Sequence, residues 1–235
     1  MIERIQDFEE IIYVDFEYYC PDGETPIPTC MSARELHSGR HFLMWADELR
    51  SLDEAPFRTD PQALMVCFSA SAELSCFHAL QWPELHHLCD MFLEERCIEN
   101  GAIRNNKAWG LTAVMKRYGL DAMSSSEKEG NRQLAMRNVP EEFNKCEKRI
   151  LLDYVAEDTL ALQKLFPKML PRIKHHSLMH FRSGYAKAVA RTEFLGIPLN
   201  PKIDILKERW PIVLEKLVAD VDKKYGFFTG MKFNE

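Results

Sequence analysis

The chain has 235 residues, 46% hydrophobic and 11% aromatic, which suits a substantial core in one domain plus an appendage. No apolar run is long enough to cross a bilayer, and the start, Met1-Ile2-Glu3-Arg4, lacks a signal peptide's charged and apolar regions. The sequence therefore reads as a soluble, cytoplasmic protein with no membrane partner. A net charge of −6 argues against a protein that grips nucleic acid by overall basicity. It leaves room for an acidic site neutralised by bound cations, and basic residues do cluster at 104–107, at Lys116-Arg117 and from Lys164 to His176.

Residues 11–17 combine β-branched and aromatic residues with acids at alternate positions, the pattern of a strand. Pro21, Gly23, Pro26 and Pro28 break it. Further strands are expected over 29–36 and 41–45, joined by the turn signal Ser38-Gly39. The continuous apolar run 63–68, Ala-Leu-Met-Val-Cys-Phe, suits a strand covered on both faces. Helical periodicity follows over 71–80, 90–97, 111–118 and 141–165, with a capping-box pattern at Ser124 to Glu127. After Pro167 and Pro171 come two more helical stretches, 178–195 and 203–225, separated by Gly196-Ile197-Pro198. The expected fold is α/β, a mixed sheet flanked by helices over 1–175, with a helical extension over 176–235.

Seven cysteines form no Cys-x-x-Cys pair, and Cys67 and Cys89 fall in apolar segments, so free thiols are expected. The adjacent pairs His86-His87 and His175-His176 lack the spacing of a helical metal site and read as surface residues.

Chemistry concentrates elsewhere. Asp15 and Glu17 lie two apart on the first strand, so both project to one side while Val14 and Phe16 face the other. Side by side, two carboxylates repel, and burial raises their pKa values; a hard divalent cation relieves both costs. A solvated strand face is the plain alternative. Tyr154 and Asp158 share one face of a helix, at the edge of an apolar stripe marked by Leu151, Val155 and Leu162.

Together these residues resemble the tyrosine-bearing branch of the DEDD superfamily of 3′→5′ exonucleases, in particular the proofreading domain of phage- or plasmid-type family-A DNA polymerases. Asp15-Phe16-Glu17 matches the first motif, Asp-x-Glu. Tyr154-Val155-Ala156-Glu157-Asp158 matches the third, Tyr-x-x-x-Asp. The second motif, Asn-x-x-Phe-Asp, falls at Ser69-Ala70-Ser71-Ala72-Glu73, with Ser69, Ala72 and Glu73 departing from it. Glu73 is favoured as the fourth acid over Asp90, which resembles a structural aspartate opening a later helix. The segment 191–198 is similar to the helix leading from exonuclease to polymerase in that family.

The resemblance implies a ribonuclease-H-like fold and two divalent ions, Mg2+ or Mn2+, held by Asp15, Glu17, Glu73 and Asp158, with Asp15 bridging. Tyr154 would orient the attacking water, since an ordinary tyrosine is a poor base at neutral pH. The implied activity is metal-dependent removal of 5′-mononucleotides from single-stranded or frayed DNA 3′ ends, as in proofreading. RNA ends are an open variant, and an inert nucleic-acid-binding module is the competing class. Phe16, Tyr18, Asn106 and Lys107 are candidate nucleic-acid contacts. A polymerase region or subunit is a candidate partner of the C-terminal helices.

Overall fold

The computed structural model describes residues 5–100, 102, 106–122, 125–173, 176–200 and 202–226. Strand β1 (Glu10–Tyr19) is followed by β2 (Ile27–Glu35), β3 (His41–Trp45), the short helix α1 (Ala46–Arg50), β4 (Ala63–Cys67), α2 (Ser71–Ala79) and β5 (His87–Asp90). Helices then complete the chain: α3 (Met91–Ile98), α4 (Leu111–Arg117), α5 (Ser125–Ala135), α6 (Lys145–Met169), α7 (His176–Leu195) and α8 (Ile203–Tyr225). The strands form one five-stranded mixed sheet in the order β3-β2-β1-β4-β5. β1 pairs antiparallel with β2 and parallel with β4, and β4 pairs parallel with β5.

Strand alternation sorts the core into layers. Ile12, Val14 and Phe16 pack with Met65, Leu74 and Phe77 on one side of the sheet. Ile11, Tyr13, Leu64 and Val66 pack with Leu162, Leu165 and Phe166 of α6 on the other. β4 is buried at all five positions, as its unbroken apolar run requires. A third cluster joins Cys30 and Trp45 to Ala135, Phe143, Leu151 and Val155.

Two features differ from the sequence expectation. β5 escaped notice because its four residues, His87-Leu88-Cys89-Asp90, are too short and too polar at both ends to register as a strand. The compact unit extends to Leu195, beyond the boundary expected after residue 175. The reason is α7, which lies against α2 and β5: His78 meets Phe194 at 5.3 Å, His87 meets His180 at 4.9 Å, and Arg182 Nε donates to buried Glu94 at 2.7 Å. From Gly196 onward the chain forms a second unit built on α8, whose end is marked by Gly226 at φ 68°. All seven cysteines are free, with Cys30, Cys67, Cys76 and Cys89 buried.

The β2–β3 turn is held by Glu35, only 2% exposed. Burial alone would raise its pKa, but the Ser38 hydroxyl and the N–H groups of His37, Ser38 and Ile11 all donate to the carboxylate and bring it down to about 2. Because the folded value lies below the ordinary one, this contribution is present above pH ~4.3 and fades as pH falls toward 2. Glu35→Gln should therefore lower stability by about 1–2 kcal/mol at pH 7, after allowance for solvent screening, and flatten the acid limb of a urea-unfolding pH profile.

Candidate metal centre

The site forms where β1 outruns its parallel neighbour. Pairing with β4 covers only Glu10 to Tyr13, so Asp15 and Glu17 stand beyond the carboxyl end of β4. Open α/β sheets place ligands at this position. Both acids face the α6 side, as the burial of Val14 and Phe16 in the opposite layer demands. A register shift between Glu17 and Tyr18 ends the regular pairing with β2 just past the site.

α6 brings the second half. Asn144 caps its start, accepting from the N–H groups of Cys146 at 2.9 Å and Glu147 at 3.1 Å, while Glu147 accepts from Asn144 N–H. Leu151, Val155 and Leu162 are fully buried. Thr159 falls on the same stripe, and its hydroxyl meets that of Ser32 at 2.7 Å. Ser32 is the cross-strand partner of Asp15, so this bond sets Asp158, the neighbour of Thr159, opposite Asp15. Carboxylate oxygens of Asp15, Glu17 and Asp158 all lie within 4.8 Å of one another.

Glu73 enters from the other layer, in the first turn of α2, and is 2% exposed. The turn before it is unusual: Ser69 adopts φ 73°, a left-handed conformation costly for a side chain other than glycine, asparagine or aspartate. Asp90 holds that turn. Its carboxylate accepts from the N–H groups of Ser69 and Ala70, each at 2.9 Å, and caps α3 through Phe92 N–H at 2.9 Å and Leu93 N–H at 3.4 Å. The carboxylate of Asp90 is thus committed to four backbone N–H groups, while Glu73 sits buried within the electrostatic reach of Asp15.

The electrostatics are those of crowded, desolvated carboxyls. Burial raises the pKa of Asp15 well above its usual range, and Asp158 and Glu17 push it further. Burial and Asp158 lift Glu17 to about 8, against the lowering fields of Lys128 and Arg132. Glu73 is likewise raised, by burial and then by Asp15. Tyr154, 4% exposed, has its hydroxyl pKa driven far up by burial and by Asp158, Glu17 and Asp15, so it stays protonated at any physiological pH. Asp15 Oδ2 and Glu73 Oε2 are buried without a hydrogen-bond partner. Orphaned acceptors in a ring of hard oxygen donors fit divalent cations of the magnesium class.

The remaining expected contacts fare unevenly. Phe16 does not reach a cleft: it is 4% exposed and packs against Phe77 and Trp82 in the core, because its strand parity turns it away from the acids. Tyr18 is half-buried, packs against the same core layer as Phe16 and lines a small cavity with Ser71, Ala72 and Phe194. Asn106 and Lys107 start a single 3-10 turn, and their side chains lie outside the described residues. Sequence reasoning missed Lys128 of α5, whose Nζ lies 2.7 Å and 2.5 Å from the two oxygens of Asp158. No spacing rule marks it, because α5 reads as an ordinary polar helix. Thr159 was findable as a polar residue on an apolar stripe.

No protein-family model matches the chain, and no curated protein matches it. Solved structures do. RNase D of Trypanosoma brucei matches with a TM-score of 0.57 at 15% identity, covering 81% of this chain and 67% of that one. The catalytic core of RRP6 from Trypanosoma brucei matches with a TM-score of 0.56 at 11% identity, covering 85% of this chain and 51% of that one. Brucella melitensis NrnC, solved with bound Mg2+, matches with a TM-score of 0.50 at 11% identity, covering 83% and 87%. The chain thus has the ribonuclease-H-like fold of these proteins, the architecture expected from its motifs.

Two outcomes follow from this geometry. Acids whose folded pKa is raised stabilise the fold below the unfolded value of ~4.3 and lose that contribution as pH rises to the folded value, about 8 for Glu17. In EDTA, the melting temperature should fall between pH ~5 and ~8, and millimolar Mg2+ or Mn2+ should restore it at pH 8, measured by scanning calorimetry. Asp90→Ala should cost about 2–4 kcal/mol in urea unfolding by orphaning the N–H groups of Ser69 and Ala70, whereas Ser69→Gly should stabilise by about 0.5–1 kcal/mol.

Proposed function

We propose that this protein is a divalent-metal-dependent 3′→5′ exonuclease of the cytoplasm, hydrolysing the terminal phosphodiester of a single-stranded nucleic acid and releasing a nucleoside 5′-monophosphate. The observation that carries the reading is the convergence of Asp15, Glu17 and Asp158 within 4.8 Å, backed by buried, partnerless oxygens on Asp15 and Glu73. Asp15, Glu17 and Asp158 would hold one ion, and Asp15 with Glu73 a second. Bound there, the ions would supply an activated water and neutralise charge at the phosphate and the leaving 3′ oxygen.

The chain's own residues do the rest. Tyr154 keeps its proton, so it acts as a hydrogen-bond donor that orients, never as the base. Tyr18 would stack on a base near the end, and Asn106 and Lys107 are retained as backbone contacts. Phe16 supports the site from behind, by fixing the strand that carries both motif acids.

For the substrate, RNA is the first reading and DNA the second. RNase D of Trypanosoma brucei, which shares this fold with a TM-score of 0.56, has been solved in complex with RNA U12. The DNA reading, with proofreading and a polymerase region or subunit as partner, rests on the motif resemblance and on the segment 191–198.

The test is a digestion of 5′-labelled single-stranded RNA and DNA of one sequence in Mg2+ or Mn2+. A ladder shortening from the 3′ end is expected, with the RNA cut faster. Asp15→Asn, Glu73→Gln and Asp158→Asn should each slow it by about 10³-fold or more, and Tyr154→Phe by about 10–100-fold with KM little changed. Binding without a ladder in the unmodified protein would mark an inert module instead.

A further inference from the structure

Helix α5 delivers a cation into the acidic site from a segment that carries none of the three motifs. Lys128 Nζ spans both carboxylate oxygens of Asp158, at 2.7 Å and 2.5 Å, and lies 5.5 Å from the centre of the Tyr154 ring. Its side chain is 25% exposed, against 11% for that of Asp158, so the ion pair is largely shielded from water. Arg132, one turn further along the same helix, adds a second positive field on Glu17. The far end of α5 is fixed: Ala135 is fully buried and Leu134 packs beside it against the cluster of Trp45, Phe143 and Leu151. α5 therefore holds its basic face at the acids by packing of its other end.

An ammonium lying across both oxygens of Asp158 takes up lone pairs of each, and its charge opposes a divalent ion approaching the same carboxylate. With a divalent ion held by the acids, the ammonium would leave Asp158 while staying tethered beside the site by a flexible four-carbon stem. The anion then available to it is the phosphate drawn to the same acids by the bound cations. Donation to a non-bridging oxygen exchanges one charge-assisted bond for another without stranding the charge.

We propose that Lys128 is a substrate-binding residue of this site, trading Asp158 for a non-bridging oxygen of the 3′-terminal phosphate once divalent ions occupy the acids. The inference rests on the exonuclease reading and extends it to a residue outside the motifs. The lysine then serves as the internal counter-ion of the metal-free protein and as a phosphate ligand of the loaded one.

Calorimetric titrations of the full chain at pH 7.5 test both halves. With Mn2+ alone, Lys128→Gln should bind about tenfold more tightly than the unmodified protein, because the competing cation is gone. With adenosine 5′-monophosphate added to the Mn2+-saturated proteins, Lys128→Gln should bind at least fivefold more weakly, and Lys128→Arg should recover most of the loss. If either affinity stays within twofold of the unmodified protein, the exchange is overturned. Asp158→Asn separates the two levels of failure. If it binds Mn2+ as well as the unmodified protein, the metal centre itself is wrong and Lys128 falls with it. If it loses Mn2+ while Lys128→Gln changes nothing, only the lysine's role is wrong.

Discussion

Everything at this site follows from like charges confined where water scarcely reaches. Burying a lone carboxylate costs several kcal/mol, and a neighbour of the same sign adds to that cost. Here Asp15, Glu17 and Asp158 share one such volume, contributed by β1 and α6, and the field of Asp15 reaches buried Glu73 on α2. No gain in stability explains that arrangement, so the surrounding structure has to enforce it. Three devices do so: the Ser32–Thr159 hydroxyl pair that seats α6 on the sheet, the Asp90 bracket around the strained turn at Ser69, and the apolar clusters above and below β1. A protein that holds repelling groups together in this way is organised around something that neutralises them.

How much of this was legible depended on the range of the signal. The alternation of Ile12, Val14 and Phe16 with Asp15 and Glu17 reports strand parity directly, so the facing of both acids could be read from the short stretch 12–17. The Tyr154–Asp158 spacing reports a helix face just as locally. The apolar run at β4 declared a doubly covered strand, and Asp90 declared a helix start. What stayed hidden was long-range. The Ser32–Thr159 bond spans 127 positions, and the Lys128–Asp158 pair depends on how α5 docks. Neither has a period. Phe16 shows the opposite failure, where nearness in sequence to the acids suggested a substrate contact that the pleat forbids.

The acidic composition of the chain is likewise reconciled by placement. Overall charge describes the surface at a distance, whereas any group entering this cleft would meet the local field. That field combines an acidic pocket with the basic face of α5, where Lys128 and Arg132 lie one turn apart. The turn before Glu73 shows similar compensation. Ser69 takes a left-handed conformation that glycine or asparagine would adopt more readily, and two hydrogen bonds from its own segment to Asp90 hold it there.

The wide sequence separation of the acids has a consequence for synthesis. Asp15 and Glu17 leave the ribosome early, whereas Asp158 comes much later, in α6, whose buried face packs on β1 and β2. A chain cut off before α6 holds Asp15, Glu17 and Glu73 but lacks Asp158. The cluster of Asp15, Glu17 and Asp158 is thereby completed only when α6 closes over the sheet.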